Sequence, residues 1–124
     1  TEELITENIR TVRECGNAVT VESARESVVR CIDGKMVAEV LRRDQMFVAK
    51  APQSFRYGAI LRLYKMARVD GIKTIDSSHL CSIYHAPMHI VKSSPNNIKI
   101  TEPADYYIFR ALYEALEGQQ IFGL

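Results

Sequence analysis

The sequence predicts an α+β fold, a helix-dominated single domain with a small antiparallel sheet or hairpin. Apolar residues recur at three- and four-residue spacing through most of the 124 residues, the period of a helix face. Short β-prone runs occur only in the middle of the chain and over residues 88–101, where turn formers separate them. No repeat, low-complexity tract or linker interrupts the pattern, so one compact domain over residues 1–124 is expected.

The first helix is expected over residues 2–15. Thr1 caps it, Glu2 and Glu3 favour the positive end of its dipole, and Leu4, Ile5, Ile9 and Val12 share a face. Gly16 and Asn17 end it. A second helix is expected over residues 21–32, capped by Thr20, with Val21, Ala24, Val28 and Ile32 inward and Asp33-Gly34 as its breaker. A third, over 36–43, turns Met36, Val37, Val40 and Leu41 inward. Residues 46–49 read as a short strand ended by Pro52. Ser54 then caps the strongest helix, residues 55–68, whose inner stripe is Ile60, Leu63, Tyr64 and Ala67 and whose stop is Asp70-Gly71. Residues 72–75 read as a short strand, and Asp76, Ser77 or Ser78 caps a two-turn helix through Tyr84. After Pro87, residues 88–92 and 98–101 form an expected hairpin across Ser93-Ser94-Pro95-Asn96-Asn97. Pro103 opens a last helix over 104–117, closed by Gly118.

Composition bounds the function. An apolar fraction of 47% with 25% charged residues is that of a globular protein and excludes wholesale disorder. No apolar run approaches the ~20 residues of a membrane span, and the acidic start is unlike a secretory signal. A cytoplasmic (intracellular) location without membrane contact is therefore expected. Three cysteines, an odd and sparse set, suggest reduced thiols rather than a disulfide framework.

Motifs for chemistry are weak. His79, Cys81, His85 and His89 fall within eleven residues, and imidazoles with a thiolate can bind zinc, but their spacing does not stack on one helical turn. They give a third reading, a zinc protein, while the primary expectation is no metal and no cofactor. Ser77, Ser78 and Ser82 lie near histidines without a Gly-x-Ser-x-Gly elbow, and the isolated glycines form no phosphate loop. No catalytic residue is expected.

Charge is the stronger signal. Residues 35–73 carry nine bases against three acids, although the whole chain is only +1. Arg42, Arg43, Lys50, Arg56, Arg62, Lys65, Arg68 and Lys73, with Tyr57 interleaved, are the expected phosphate-contact set. The element order resembles a winged helix, with residues 88–101 as the wing, although the would-be recognition helix carries no Arg or Lys. The expected function is therefore a non-enzymatic regulatory or structural protein that contacts nucleic acid, DNA or RNA, through a basic face. The alternative is a protein–protein module, an inhibitor or adaptor of viral or mobile-element type. The last helix is apolar around most of its circumference, so Tyr106, Phe109, Tyr113, Phe122 and Leu124 are an expected interface to a second copy or a protein partner.

Overall fold

The structure, a computed structural model, describes residues 1–122, with side chains through Gly118. It divides into two units, residues 1–93 and the segment from Ser94 onward. The first contains α1 (Glu2–Cys15), β1 (Asn17–Ser23), β2 (Val29–Cys31), β3 (Val37–Val40), a 3-10 turn (Arg43–Gln45), β4 (Phe47–Phe55), α2 (Tyr57–Asp70), α3 (Ser77–Ile83) and β5 (Ile90–Lys92). The second contains α4 (Pro103–Phe122).

One sheet has the order β4-β1-β5, with β1 antiparallel to β4 and parallel to β5. Strands β2 and β3 form a separate antiparallel pair. The expected helix-dominated α+β fold with a winged element order is therefore wrong. Residues 98–101 form no strand, and β5 lies beside β1 instead, through Val19 N to His89 O (2.8 Å) and Ser93 N to Val21 O (2.8 Å).

Local rules set α1. The Thr1 hydroxyl accepts the Leu4 N–H at 3.3 Å, and Gly16 closes the helix at φ 92°. Its inner face is not the apolar stripe the spacing suggested. Asn8, 1% exposed, and Thr11 are buried, while Ile5 and Ile9 are half exposed. Asn8 can be buried because every polar atom finds a partner. Its amide donates to Leu4 O and to the Thr20 hydroxyl, both at 3.0 Å, and its carbonyl accepts the Ser54 hydroxyl at 3.1 Å. One side chain thus ties α1 to β1 and β4. Ser54 is occupied there and does not cap α2, whose first turn has no side-chain cap.

The helices expected over 21–32 and 36–43 are replaced by strands. Val19-Thr20-Val21 is β-branched and buried, so the centre of β1 reads as a run rather than an alternation. Asp33-Gly34 is a turn between β2 and β3 rather than a helix breaker: Gly34 takes φ 74°, and the Asp33 carboxylate accepts the N–H groups of Lys35 and Met36. Strand β4 runs through Pro52, after a cis Ala51–Pro52 bond, because β4 is an edge strand and its ladder with β1 shifts between Val19 and Val21.

Helix α2 ends at Gly71 (φ 67°), as Asp70-Gly71 predicted, and residues 72–75 form no strand. Asp76 caps α3 by accepting His79 N at 2.8 Å. Gln53 of β4 donates to Asp76 at 3.2 Å and accepts Ser78 N at 3.0 Å, which ties α3 to the sheet. Ala18, Val19, Val21, Ala67, Leu80, Cys81 and Val91 make the apolar core. Helix α4 continues through Gly118 to Phe122, past the expected stop. Among the described residues no helix is long and apolar enough to cross a membrane.

Candidate functional site

Strands β1 and β5 run in the same direction and end at the same edge, where Val21 lies opposite Lys92. Ser93 holds that edge together, its N–H and hydroxyl both donating to Val21 O at 2.8 and 3.3 Å. Ligands of α/β sheets bind beyond the carboxyl ends of parallel strands, because backbone groups and loops converge there.

Four basic side chains gather at this edge. Glu22, the penultimate residue of β1, receives Lys50 Nζ of β4 at 3.0 Å and Arg25 Nη2 at 3.1 Å. Arg43 Nη1 donates to the Arg25 carbonyl at 3.4 Å. Lys92 Nζ sits 5.6 Å from the ring centre of Phe47, which pairs with Ser23 across the sheet. Lys92 and Arg43 have no acidic partner among the described residues. A groove of about 230 Å³ adjoins them, lined by Glu22, Ser23, Arg25, Glu26, Val28 and Val48. Several cations against one bridging carboxylate leave a local positive surplus, which suits a phosphate group.

The nine sequence-predicted contact residues do not share one arrangement. Arg43 and Lys50 meet at the strand edge through Arg25 and Glu22. Arg42 is paired with Asp44 at 2.7 Å, and Arg56 donates to the Arg13 carbonyl at 2.7 Å. Tyr57, Arg62, Lys65 and Arg68 are exposed on α2, and Lys73 lies exposed beyond it. Tyr106, Phe109 and Tyr113 are exposed on α4, with the Phe109 and Tyr113 rings stacked at 6.3 Å. The Phe122 side chain and Leu124 lie outside the described residues.

The histidine cluster is dispersed. His79 Nδ1 accepts Ile75 N at 3.2 Å, His89 N donates to Asn17 at 2.9 Å, and His85 adopts φ 51°. Among the described residues no three His, Cys, Asp or Glu side chains are placed to hold a metal. Burial pushes the Cys81 thiol up, and the nearby Asp76 charge adds to it, so it stays a protonated core group at neutral pH. Cys15 and Cys31 are exposed free thiols.

Glu22, Arg25 and Lys92 are absent from the sequence-predicted set. The first two fell in a stretch read as a helix. The β-branched run before Glu22 was the available signal.

A family model described as IspD: 2-C-methyl-D-erythritol 4-phosphate cytidylyltransferase matches residues 1–115. The chain belongs to this family. It is 46% identical over 124 residues to a ribitol-5-phosphate cytidylyltransferase of Streptococcus agalactiae, covering 99% of this chain and 52% of that protein. A ribitol-5-phosphate cytidylyltransferase of Vibrio parahaemolyticus is 37% identical over 98% of this chain and 52% of its own length. The chain thus spans about half the length of these relatives. Among solved structures, the 4-diphosphocytidyl-2C-methyl-D-erythritol synthase of Anaerococcus prevotii superposes with TM-score 0.84 at 24% identity, over 92% of this chain and 53% of that one. The cytidylyltransferase of Thermus thermophilus gives 0.76 at 22%, over 90% and 55%. The fold is that of the IspD-like nucleotidyltransferases, a Rossmann-like α/β arrangement of which this chain carries one parallel strand pair, β1 with β5, and it is not a winged helix. The expectations of a non-enzymatic regulator, of a viral adaptor and of a nucleic-acid partner fall with it, because the family and these relatives are cytidylyltransferases, which are enzymes.

Proposed function

We propose that this chain forms part of a cytidylyltransferase whose acceptor is ribitol 5-phosphate. The observation that carries the reading is the gradient of identity. It is 46% over 124 residues to a protein named for ribitol 5-phosphate, against 29% over 104 residues to one named for 2-C-methyl-D-erythritol 4-phosphate. In such a transfer a phosphate oxygen of the polyol phosphate bonds to the α-phosphorus of CTP. The α–β anhydride bond breaks and pyrophosphate leaves. Both reactants are polyanions, so bringing them together requires fixed cations. Arg25, Arg43, Lys50 and Lys92, at the carboxyl edge of β1 and β5, fill that role. Two of them, Arg43 and Lys50, belong to the phosphate-contact set read from the sequence.

The test is pyrophosphate release by the complete protein that contains this chain, with CTP and either polyol phosphate. Turnover with ribitol 5-phosphate is expected to exceed that with 2-C-methyl-D-erythritol 4-phosphate. The reverse preference, or equal rates, overturns the acceptor assignment. Lys92→Met is expected to lower kcat/KM by about tenfold or more, since a phosphate would lose a charge-assisted contact.

A further inference from the structure

Glu22 is, among the described residues, the one carboxylate with two basic partners. Its side chain is 15% exposed and that of Lys50 25%, whereas Arg25 is 64% exposed. The partners come from different places, Lys50 from β4 and Arg25 from the segment after β1. Each takes its own oxygen, Arg25 on Oε1 and Lys50 on Oε2. A covered ion pair of this kind adds little stability over apolar residues of the same shape, so fold maintenance alone is a poor reason to keep it. What the bridge does supply is a fixed spacing between an ammonium and a guanidinium at the strand edge.

We propose that Glu22 is a positioning residue, which sets Lys50 and Arg25 so that both grip one phosphate group of a substrate. Both stay on the carboxylate, Lys50 on Oε2 and Arg25 through Nη2 on Oε1, while their remaining N–H groups reach the phosphate oxygens. Arg25 is suited to this, because its planar fork binds a phosphate with two parallel N–H groups. The inference rests on reading this edge as a phosphate site.

Two variants separate positioning from mere charge balance. Glu22→Gln makes the edge more positive by one charge. If Glu22 only offsets charge, this variant binds inorganic phosphate more tightly. If it positions the cations, binding weakens by about tenfold, because the common anchor is gone. Glu22→Asp keeps the charge but shortens the reach. Charge balance predicts wild-type affinity for it, and positioning predicts weaker binding. The measurement is calorimetric titration of inorganic phosphate into the complete protein and each variant, with thermal unfolding as a check. Should the Gln variant not fold, the Asp variant decides alone.

In turnover, Glu22→Asp is expected to raise KM for the polyol phosphate more than it lowers kcat. Tighter binding by the Gln variant, wild-type binding by the Asp variant, or no phosphate binding by the unaltered protein overturns the proposal. If both variants weaken phosphate binding while the unaltered protein transfers no cytidylyl group, the enzymatic reading fails and the positioning role stands.

Discussion

Sheet β4-β1-β5 and hairpin β2–β3 lie in the same unit and draw on similar residues, valine above all, but their surroundings differ. The four central residues of β1 are buried, and α1 packs on the sheet through Asn8. Every residue of β2 and β3 is exposed, including Val29, Val37 and Val40, and Ile32 at the turn is 81% exposed. What orders the hairpin is local: the Asp33 turn, the Cys31 thiol on Met36 O at 2.8 Å, and a cross-strand Arg30–Glu39 pair at 3.1 Å. A two-stranded ribbon of this kind is marginal in water, whereas a strand covered on its face gains from burial. Propensity therefore marks where strands form, and cover decides how firmly they are held.

The sharpest way to break this contrast is Asn8→Leu. It strands the Thr20 and Ser54 hydroxyls, and is expected to cost about 3 kcal/mol. Urea unfolding measures it, and a change under about 1 kcal/mol would mean that apolar cover alone holds the sheet.

Asp76→Ala comes next. It removes the α3 cap and the link to Gln53, for an expected loss of about 1–2 kcal/mol. Its pH dependence sharpens the point. The His79 N–H, and after it the Ser78 hydroxyl, hold the Asp76 carboxyl below its ordinary value. The stability it contributes is present above the ordinary carboxylate range and is lost as pH falls through the lower folded value. Asp76→Asn is expected to flatten that acid limb in urea titrations.

Tyr84 gives a smaller effect at the other end of the scale. Its hydroxyl donates to Asp70 at 2.5 Å, and that bond pushes the phenol from 10.0 up to about 12. The bond's contribution is complete below about pH 10 and is lost as pH rises toward 12. Tyr113 is also raised, by its hydrogen bond to Glu117, so phenolate absorbance is expected to show late-titrating tyrosine, and Tyr84→Phe to remove the component near pH 12.

The smallest effect belongs to the hairpin. Replacing Ile32 and Val37 by Ser is expected to change stability by no more than about 0.5 kcal/mol, because neither side chain is covered. A loss above about 1.5 kcal/mol would mean that another surface covers the hairpin in solution.

Much of the helical framework was legible from the residues. Thr1 and Gly16 bound α1, Asp70-Gly71 ends α2 and Asp76 starts α3, each through contacts no more than five residues apart. The site was legible only in part. An excess of bases over acids in the middle of the chain pointed to phosphate, and Arg43 and Lys50 were within it. Glu22, Arg25 and Lys92 were not, because the apolar spacing after Thr20 fits a helix as well as a buried strand.

The sequence by itself determined where α1 starts and stops, where α2 stops, where α3 is capped, and that positive charge is concentrated in the middle third of the chain. These follow from backbone geometry and hydrogen bonds reached within a few residues. Only the tertiary structure decided that β5 pairs with β1 in parallel, through groups 72 residues apart, and that one carboxylate holds two cations at the resulting edge. A parallel pairing has no connecting turn to announce it, and a charge's partner depends on which distant strands the buried core brings side by side.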